Sequence, residues 1–187
     1  MDITKIYISI LPLTNMDKII AYLSGSIISS NSTEAHSLYH KSQFGEPSGE
    51  KVQYSPMEAL YLLEKGKMEV RHKNKEMSSK NLMESLRKVD NKINIKYPVF
   101  KDLREKGYIV KTALKFGAEF RVYDKGSKPK MAHAKWIVFT DHESKKMSWN
   151  DFAAKNRVAH STKKKLLLAI VDDEGSVTYY EVNWVRT

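Results

Sequence analysis

The stretch LLLAIV at residues 166–171 constrains the fold more than any other part of the chain. Its side chains are apolar whichever way they alternate, so a strand here must be covered on both faces. Such a strand lies inside a sheet that carries helices. Three lysines, Lys163, Lys164 and Lys165, stand directly before it, and the acidic turn Asp172-Asp173-Glu174-Gly175 follows. A charge held beside a core must be paired or put to use. The bland reading is a solvated helix terminus, where cations suit the backbone dipole. The sharper one projects a lysine from the strand start toward other functional groups.

The segments around this strand supply the rest of a sheet. YIVKTAL, AEFRVY, AKWIVFT and SVTYYEVNW read as strands, DDEG turns LLLAIV into the last of them, and Ser148 caps a helix running to about Ser161. YPVFKDLREKG reads as a short helix stopped by Gly107. In AEFRVY, alternation sets Ala118, Phe120 and Val122 on one face and Glu119, Arg121 and Tyr123 on the other. Tyr123 is thus expected on the polar side, although strand tyrosines commonly pack with a wet hydroxyl. A Gly/Pro/Lys loop follows it, and His133 opens the next apolar run. A single histidine in such a place is more often structural than catalytic.

The first half is less regular. Residues 24–33 read as a Ser-rich loop, and 42–53 are polar with Gly and Pro. Ser55-Pro56-Met57-Glu58 carries the capping-box pattern, with proline at the first helical position. That helix runs through Ala59, Leu60 and Leu63 and is stopped by Gly66. KMEVRH is a short strand, 73–80 a charged loop, and Leu82, Leu86, Val89 and Ile93 mark a second helix by their spacing. The expected class is α/β (α+β) with two small domains. Residues 1–93 form a mixed helix and antiparallel-sheet domain, and 94–187 a mixed sheet flanked by helices. IYISILPLTNMDKIIAYL near the start is broken by Pro12, Asn15, Asp17 and Lys18, too interrupted for a membrane span. It lacks a basic start and a small-residue cleavage site, and is expected to be a folded part of the protein.

Charge narrows the partners. The chain of 187 residues has a formal net charge of +10, a field that attracts polyanions, nucleic acid above all. It has no cysteine, which excludes disulfides, zinc-thiolate sites and thiol nucleophiles. That absence fits a reducing cytoplasm and also a hot environment that selects against labile side chains.

Taken together, KDLREKGYIVKTALKFGAEFRVY, MAHAKW, RVAHSTKKKLLLAIVDDEG and YYEVNW resemble the archaeal tRNA-splicing endonucleases. SPMEALYLLEKGKMEV adds a weaker match in the first half. The resemblance implies a restriction-endonuclease-like C-terminal domain and a catalytic set of tyrosine, histidine and lysine. These map onto Tyr123 in FRVY, His133 in MAHAK and Lys164, whose register comes from AHS-x-x-K. Arg157, at the head of RVAHS, matches an arginine that stacks on a flipped-out bulge base, and Trp184 is the candidate second half of that sandwich. Core packing is a competing reading for Trp184. Asp172, Asp173 and Glu174 match an acidic loop that enters a basic groove of a partner subunit.

The implied reaction cleaves RNA to a 2′,3′-cyclic phosphate and a 5′-hydroxyl. The substrate's own 2′-hydroxyl attacks, so no metal or other cofactor is called for. In the family's usual assignment Tyr123 is the general base, His133 the general acid and Lys164 the charge stabiliser. A free tyrosine ionises near pH 10, so the base role asks for depression by cations such as Lys164. Histidine, near 6.5, suits either role. The implied partners are a precursor tRNA with a bulge-helix-bulge, and further copies of the chain or a second subunit in a dimer or tetramer. Two other readings stand beside this one. A non-catalytic assembly subunit has no need of tyrosine, histidine and lysine together. A generic basic nucleic-acid-binding domain, or a metal-dependent nuclease of related fold, calls in the latter case for a separated carboxylate pair that the sequence does not offer.

Overall fold

The computed structural model describes residues 18–185, so most of the interrupted apolar stretch near the start lies outside the described residues. The first sheet contains β1 (Ile19–Ser24), β2 (Ile27–Ser30), β3 (Glu46–Ser48), β4 (Lys51–Tyr54), β5 (Met68–His72) and β6 (Lys75–Met77), in the order β3-β4-β2-β1-β5-β6. Its pairings are antiparallel except β1 with β5. Three helices accompany it: α1 (Thr33–Ser42), α2 (Pro56–Glu64) and α3 (Ser79–Arg87). The second sheet contains β7 (Ile109–Thr112), β8 (Phe120–Tyr123), β9 (Trp136–His142), β10 (Lys165–Val171) and β11 (Val177–Val182), in the order β11-β10-β9-β8-β7, with α4 (Ile93–Glu105) and α5 (Trp149–Ser161) against it.

The described residues therefore form a mixed α/β structure with two sheets. Residues 24–33 are not a loop. Gly25, at φ +60°, turns β1 into β2, and the Ser32 side chain accepts from the Ala35 N–H to cap α1. Serine suits turns, caps and strand edges alike, so composition alone misreads the segment. The expected helix over 82–93 is two helices. α3 ends at Arg87, and Asp90 accepts from the Lys92 N–H at 2.9 Å and from Lys96 Nζ at 2.7 Å, closing a turn that leaves Val89 exposed. Ile93 then opens α4, 1% exposed. The YIVKTAL strand is shortened at both ends, since Leu114–Phe116 form a single 3₁₀ turn.

β10 is covered on both sides, as its sequence requires. Leu167, Ala169 and Val171 join a large core that also takes Phe100 and Leu103 of α4, Phe120 and Val138. That core continues without a break into Val52, Leu60, Leu62, Val70 and Leu82 of the first sheet and its helices. Leu166 and Leu168 face the other way, into a smaller core with Ile137, Phe139 and Ala159 beneath α5. Each fully buried Leu, Val, Ile or Phe among these contributes roughly 1.5–3 kcal/mol. The two sheets thus share one apolar interior, with α4 packed between them.

A buried ion pair crosses the same junction. Lys111 of β7 donates from Nζ to Glu58 of α2 at 2.9 Å and to the Gly45 carbonyl at 2.7 Å, with both side chains about 95% buried. Removing one partner of such a pair strands the other charge in a low dielectric, at about 3–5 kcal/mol. Lys111→Met is expected to lower the unfolding free energy by about that amount. Adding Glu58→Gln should recover a substantial part, which urea titration of the single and double variants measures.

Candidate active site

The C-terminal end of β8 and the starts of β9 and β10 meet at one end of the second sheet. Antiparallel pairing sets Val122 opposite Trp136, and parallel pairing sets Trp136 beside Lys165. Backbone hydrogen bonds extend both ladders, from the Lys135 N–H to the Val122 carbonyl at 2.8 Å and from the Lys165 N–H to the Lys135 carbonyl at 3.1 Å. Tyr123, Lys135 and Lys164 are thus in one row. By alternation they fall on the side of Ile137, Leu166 and Leu168, the side that α5 covers. His133 stands two residues before Lys135.

Lys164 owes its place to the way α5 ends. The Lys163 N–H bonds the His160 carbonyl and the Lys164 N–H the Ala159 carbonyl, both at 2.9 Å. With Lys163 at φ +55° this is a Schellman motif. It reverses the chain in two residues and delivers Lys164 half-buried at the foot of β10, its Nζ donating to the Thr162 carbonyl at 2.7 Å. Its neighbours go elsewhere. Lys163 occupies the turn and is exposed, whereas Lys165 lies on the opposite sheet face and pairs with Glu181 at 2.6 Å. The Trp136 indole N–H donates to the other oxygen of Glu181 at 2.7 Å, and the two contacts hold that carboxyl below its ordinary range.

Tyr123 departs from the sequence-based expectation. It is 3% exposed and packs with Ile109 and Ala134. Alternation alone does not reveal that loop 124–134 folds back over the polar face of β8. The expected depression of its ionisation is absent as well. Burial raises the phenol above 10, the Arg121 cation opposes this, and Glu46 adds to it. His133 is exposed. Ala134, its neighbour, touches the Tyr123 cluster and also lines an open groove of about 730 Å³ with Lys135, His160, Lys163, Lys164 and Lys165. Of the three expected catalytic residues Lys164 lines this basic groove itself, whereas Tyr123 and His133 border it only through Ala134, the packing partner of one and the chain neighbour of the other.

The groove rim answers the question about Trp184. It is not core: 58% of it is exposed, and it meets the His160 ring edge-on with centroids 4.6 Å apart. Arg157 is exposed one turn before His160 on the same side of α5. His160 is the residue that the sequence reading passed over, although it stands inside RVAHS. At the other end of β10, Asp172 is consumed by its own turn, accepting from the Glu174 N–H at 3.0 Å and the Ser176 N–H at 2.7 Å. Asp173 lies 3.2 Å from His142, and Glu174 is exposed.

Comparison with known proteins follows the same division of the chain. Residues 93–179 match the model of the tRNA intron endonuclease catalytic C-terminal domain, and residues 19–83 that of the N-terminal domain. The chain belongs to the tRNA intron endonuclease family. It is 43% identical over 166 residues to a tRNA-splicing endonuclease of Pyrococcus horikoshii, covering 88% of this chain and 95% of that one. A Thermococcus gammatolerans tRNA-splicing endonuclease is 43% identical over 169 residues, covering 90% and 99%. That of Methanothermobacter thermautotrophicus is 40% identical over 152 residues, covering 81% and 88%. Tyr123, His133, Arg157 and Lys164 fall inside the matched catalytic domain of the family, and Trp184 lies beyond it. Among the described residues no group of three His, Asp or Glu side chains is gathered in metal-ligand geometry.

The turn that places Lys164 is strained at Lys163, since a side chain in the left-handed region costs about 1–2 kcal/mol. Lys163→Gly is expected to raise stability by about 1 kcal/mol, less the added freedom of glycine in the unfolded chain. Thermal or urea unfolding measures it.

Proposed function

We propose that this chain is the catalytic subunit of a tRNA-splicing endonuclease that cuts precursor tRNA at both ends of an intron presented in a bulge-helix-bulge. The observation that carries the reading is the single row of Tyr123, Lys135 and Lys164, with Lys135 two residues on from His133 in the chain and the two lysines lining a basic groove. It is supported by relatives of that name that the chain matches over nearly their whole length.

The 2′-oxygen attacks the adjacent phosphorus, the bond to the 5′-oxygen breaks, and a 2′,3′-cyclic phosphate and a 5′-hydroxyl result. One group takes the 2′-proton and another gives a proton to the departing 5′-oxygen. Lys164 stabilises the charge that builds on the phosphorane, as a fixed cation in a half-buried setting does well. Neither water activation nor a metal is needed for this route. Burial of Tyr123 favours its neutral form, so Tyr123 is assigned as the proton donor and His133 as the acceptor, the reverse of the family's usual assignment. Activity that depends on a protonated tyrosine is present below its raised ionisation point and lost as pH climbs through it. Arg157 and Trp184, on either side of His160, form the stacking platform for an unpaired base.

Two cuts need two active sites at a fixed spacing, so copies of the chain, or this chain and a second subunit, assemble around the RNA. Closed symmetry provides such a spacing. Asp173 and Glu174 project from the end of β10 and suit the basic surface of a neighbour.

The decisive test incubates the purified chain with a bulge-helix-bulge RNA in EDTA and characterises the ends. Cyclic phosphate and 5′-hydroxyl ends are expected, with a 2′-deoxy nucleotide at the scissile position blocking the cut. Inhibition by EDTA or a 5′-phosphate product overturns the mechanism. In the same assay Lys164→Ala is expected to lose roughly 10²–10³ in single-turnover rate. Lys163→Ala and Lys165→Ala should lose far less, and equal losses at all three would mean that the run only binds phosphates.

Assembly has a separate test. Asp173→Ala with Glu174→Ala spares the Asp172 turn and is expected to yield smaller, poorly active particles with an intact fold. Light scattering and circular dichroism read both properties, and an undiminished oligomer would leave the loop as a solvated turn.

A further inference from the structure

The antiparallel register sets Arg121 opposite Lys111 and Tyr123 opposite Ile109. Cations directly opposite one another repel, and the two are answered differently. Lys111 is closed off by Glu58 and the Gly45 carbonyl. Arg121 has only a 3.7 Å contact from its guanidinium to Glu46 of β3, whose side chain is 64% exposed. Its Nε is buried with no hydrogen-bond partner among the described residues. Arg121 and Glu46 line a cavity of about 220 Å³ with Tyr39, Pro129 and Lys130. The cavity lies between the end of α1 with β3 and the loop that leads to His133. Arg121 stands two residues before Tyr123 on β8, so both project from the same side of the strand.

We propose that Arg121 and Glu46 are positioning residues for Tyr123, a charge pair drawn from two different sheets that stands on the phenol's own side of β8 and biases proton exchange at its hydroxyl. This rests on the proton-transfer role given to Tyr123 above. The Arg121 cation favours the phenolate and the Glu46 anion opposes it, and both influences reach a hydroxyl whose ionisation burial has already raised. Because Glu46 is exposed and its contact long, it cancels only part of the Arg121 field.

The other charges around Tyr123 are engaged elsewhere. Lys111 is held by Glu58, Lys135 lies 3.5 Å from Asp124, and Lys165 is held by Glu181. Lys125 lies over the Tyr108 ring and Lys130 over the Tyr39 ring. Lys164 and His133 belong to the site itself. The first sheet carries none of Tyr123, His133 and Lys164, yet through Glu46 it acts on the chemistry.

The test uses the full chain with 3-fluorotyrosine in place of tyrosine, whose more acidic phenol titrates in a range that a folded protein tolerates. Fluorine NMR follows each ring, and the Tyr123 signal is the one lost in Tyr123→Phe. Glu46→Gln is expected to move that titration down by about half a unit, and Arg121→Gln to move it up by about one unit. Glu46→Asp should restore most of the original value. A Tyr123 signal that titrates unchanged in both Gln variants overturns the proposal. Should Arg121→Gln fail to fold by circular dichroism, Arg121→Lys and Glu46→Gln carry the test. Single-turnover cleavage by the same variants separates the two readings. An alkaline limb that moves with the NMR titration supports both. A fixed limb beside a moving titration leaves the charge pair standing and removes the proton-transfer role of Tyr123.

Discussion

One carboxylate holds the two halves of the molecule together. Glu58 accepts from the Ser55 N–H and hydroxyl, which starts α2, from the Gly45 N–H, which fixes the turn before β3, and from Lys111, which anchors β7. No acceptor position on it is left to water, which is why a charge can lie so deep. Gly45 is required where it stands, at φ +73°, because a Cβ there would run into Val52. Nearby, Arg104 of α4 repeats the device, donating to the Ser42 carbonyl at 2.8 Å while its guanidinium lies 3.7 Å from the Phe44 ring centre. Burial pulls its ionisation down to about 10. The junction is thus built from cations of the second sheet and its helix received by oxygens and rings of the first. Shift Glu58, and β7 moves; β8, which carries Arg121 and Tyr123, is paired to β7 alone on that side.

The matched cations at the junction sharpen the contrast with the groove. A net charge of +10 spread evenly would make a weakly attractive surface everywhere. Here Lys111 and Lys165 are each paired with a carboxylate, whereas Lys163 and Lys164 border the groove with none within salt-bridge distance among the described residues. Positive charge is therefore concentrated at the groove by what is neutralised elsewhere as much as by the lysine run itself.

Much of this was legible in residue order. Two-sided apolarity of 166–171, the capping box at Ser55 and the strand at KMEVRH all correspond to described elements, because each depends on neighbours a few positions away. The choice of Lys164 came from the resemblance, through AHS-x-x-K; alternation adds only that Lys164 and Lys165 go to opposite faces. Tyr123 was misjudged on a matter that alternation does not encode. A polar face is polar only until another segment covers it, and loop 124–134 does so from a distance that no local window spans. The same limit hid α1, whose cap at Ser32 sits in a run of serines, and the break after Arg87, where Asp90 rather than a helix signal governs the chain. Trp184 needed the position of His160, supplied only once α5 is laid beside the end of β11.

The Schellman turn after α5 has a consequence for how this protein can vary. Lys164 is located by counting from the last helical turn, with the ladder of β9 fixing the other side of the count. Side chains along α5 can be exchanged without disturbing that arithmetic. A single residue gained or lost between Ala159 and Leu166 cannot, because it would rotate every later side chain of β10 to the opposite face. The lysine would then point away from the groove, and Leu166 and Leu168 beneath α5 would trade faces with Leu167, Ala169 and Val171 on the side of α4. Between Ala159 and Leu166 only replacement leaves the register intact. The interval from Ala159 to Leu166 should have the same length in every descendant that still cuts RNA, however little of its spelling survives.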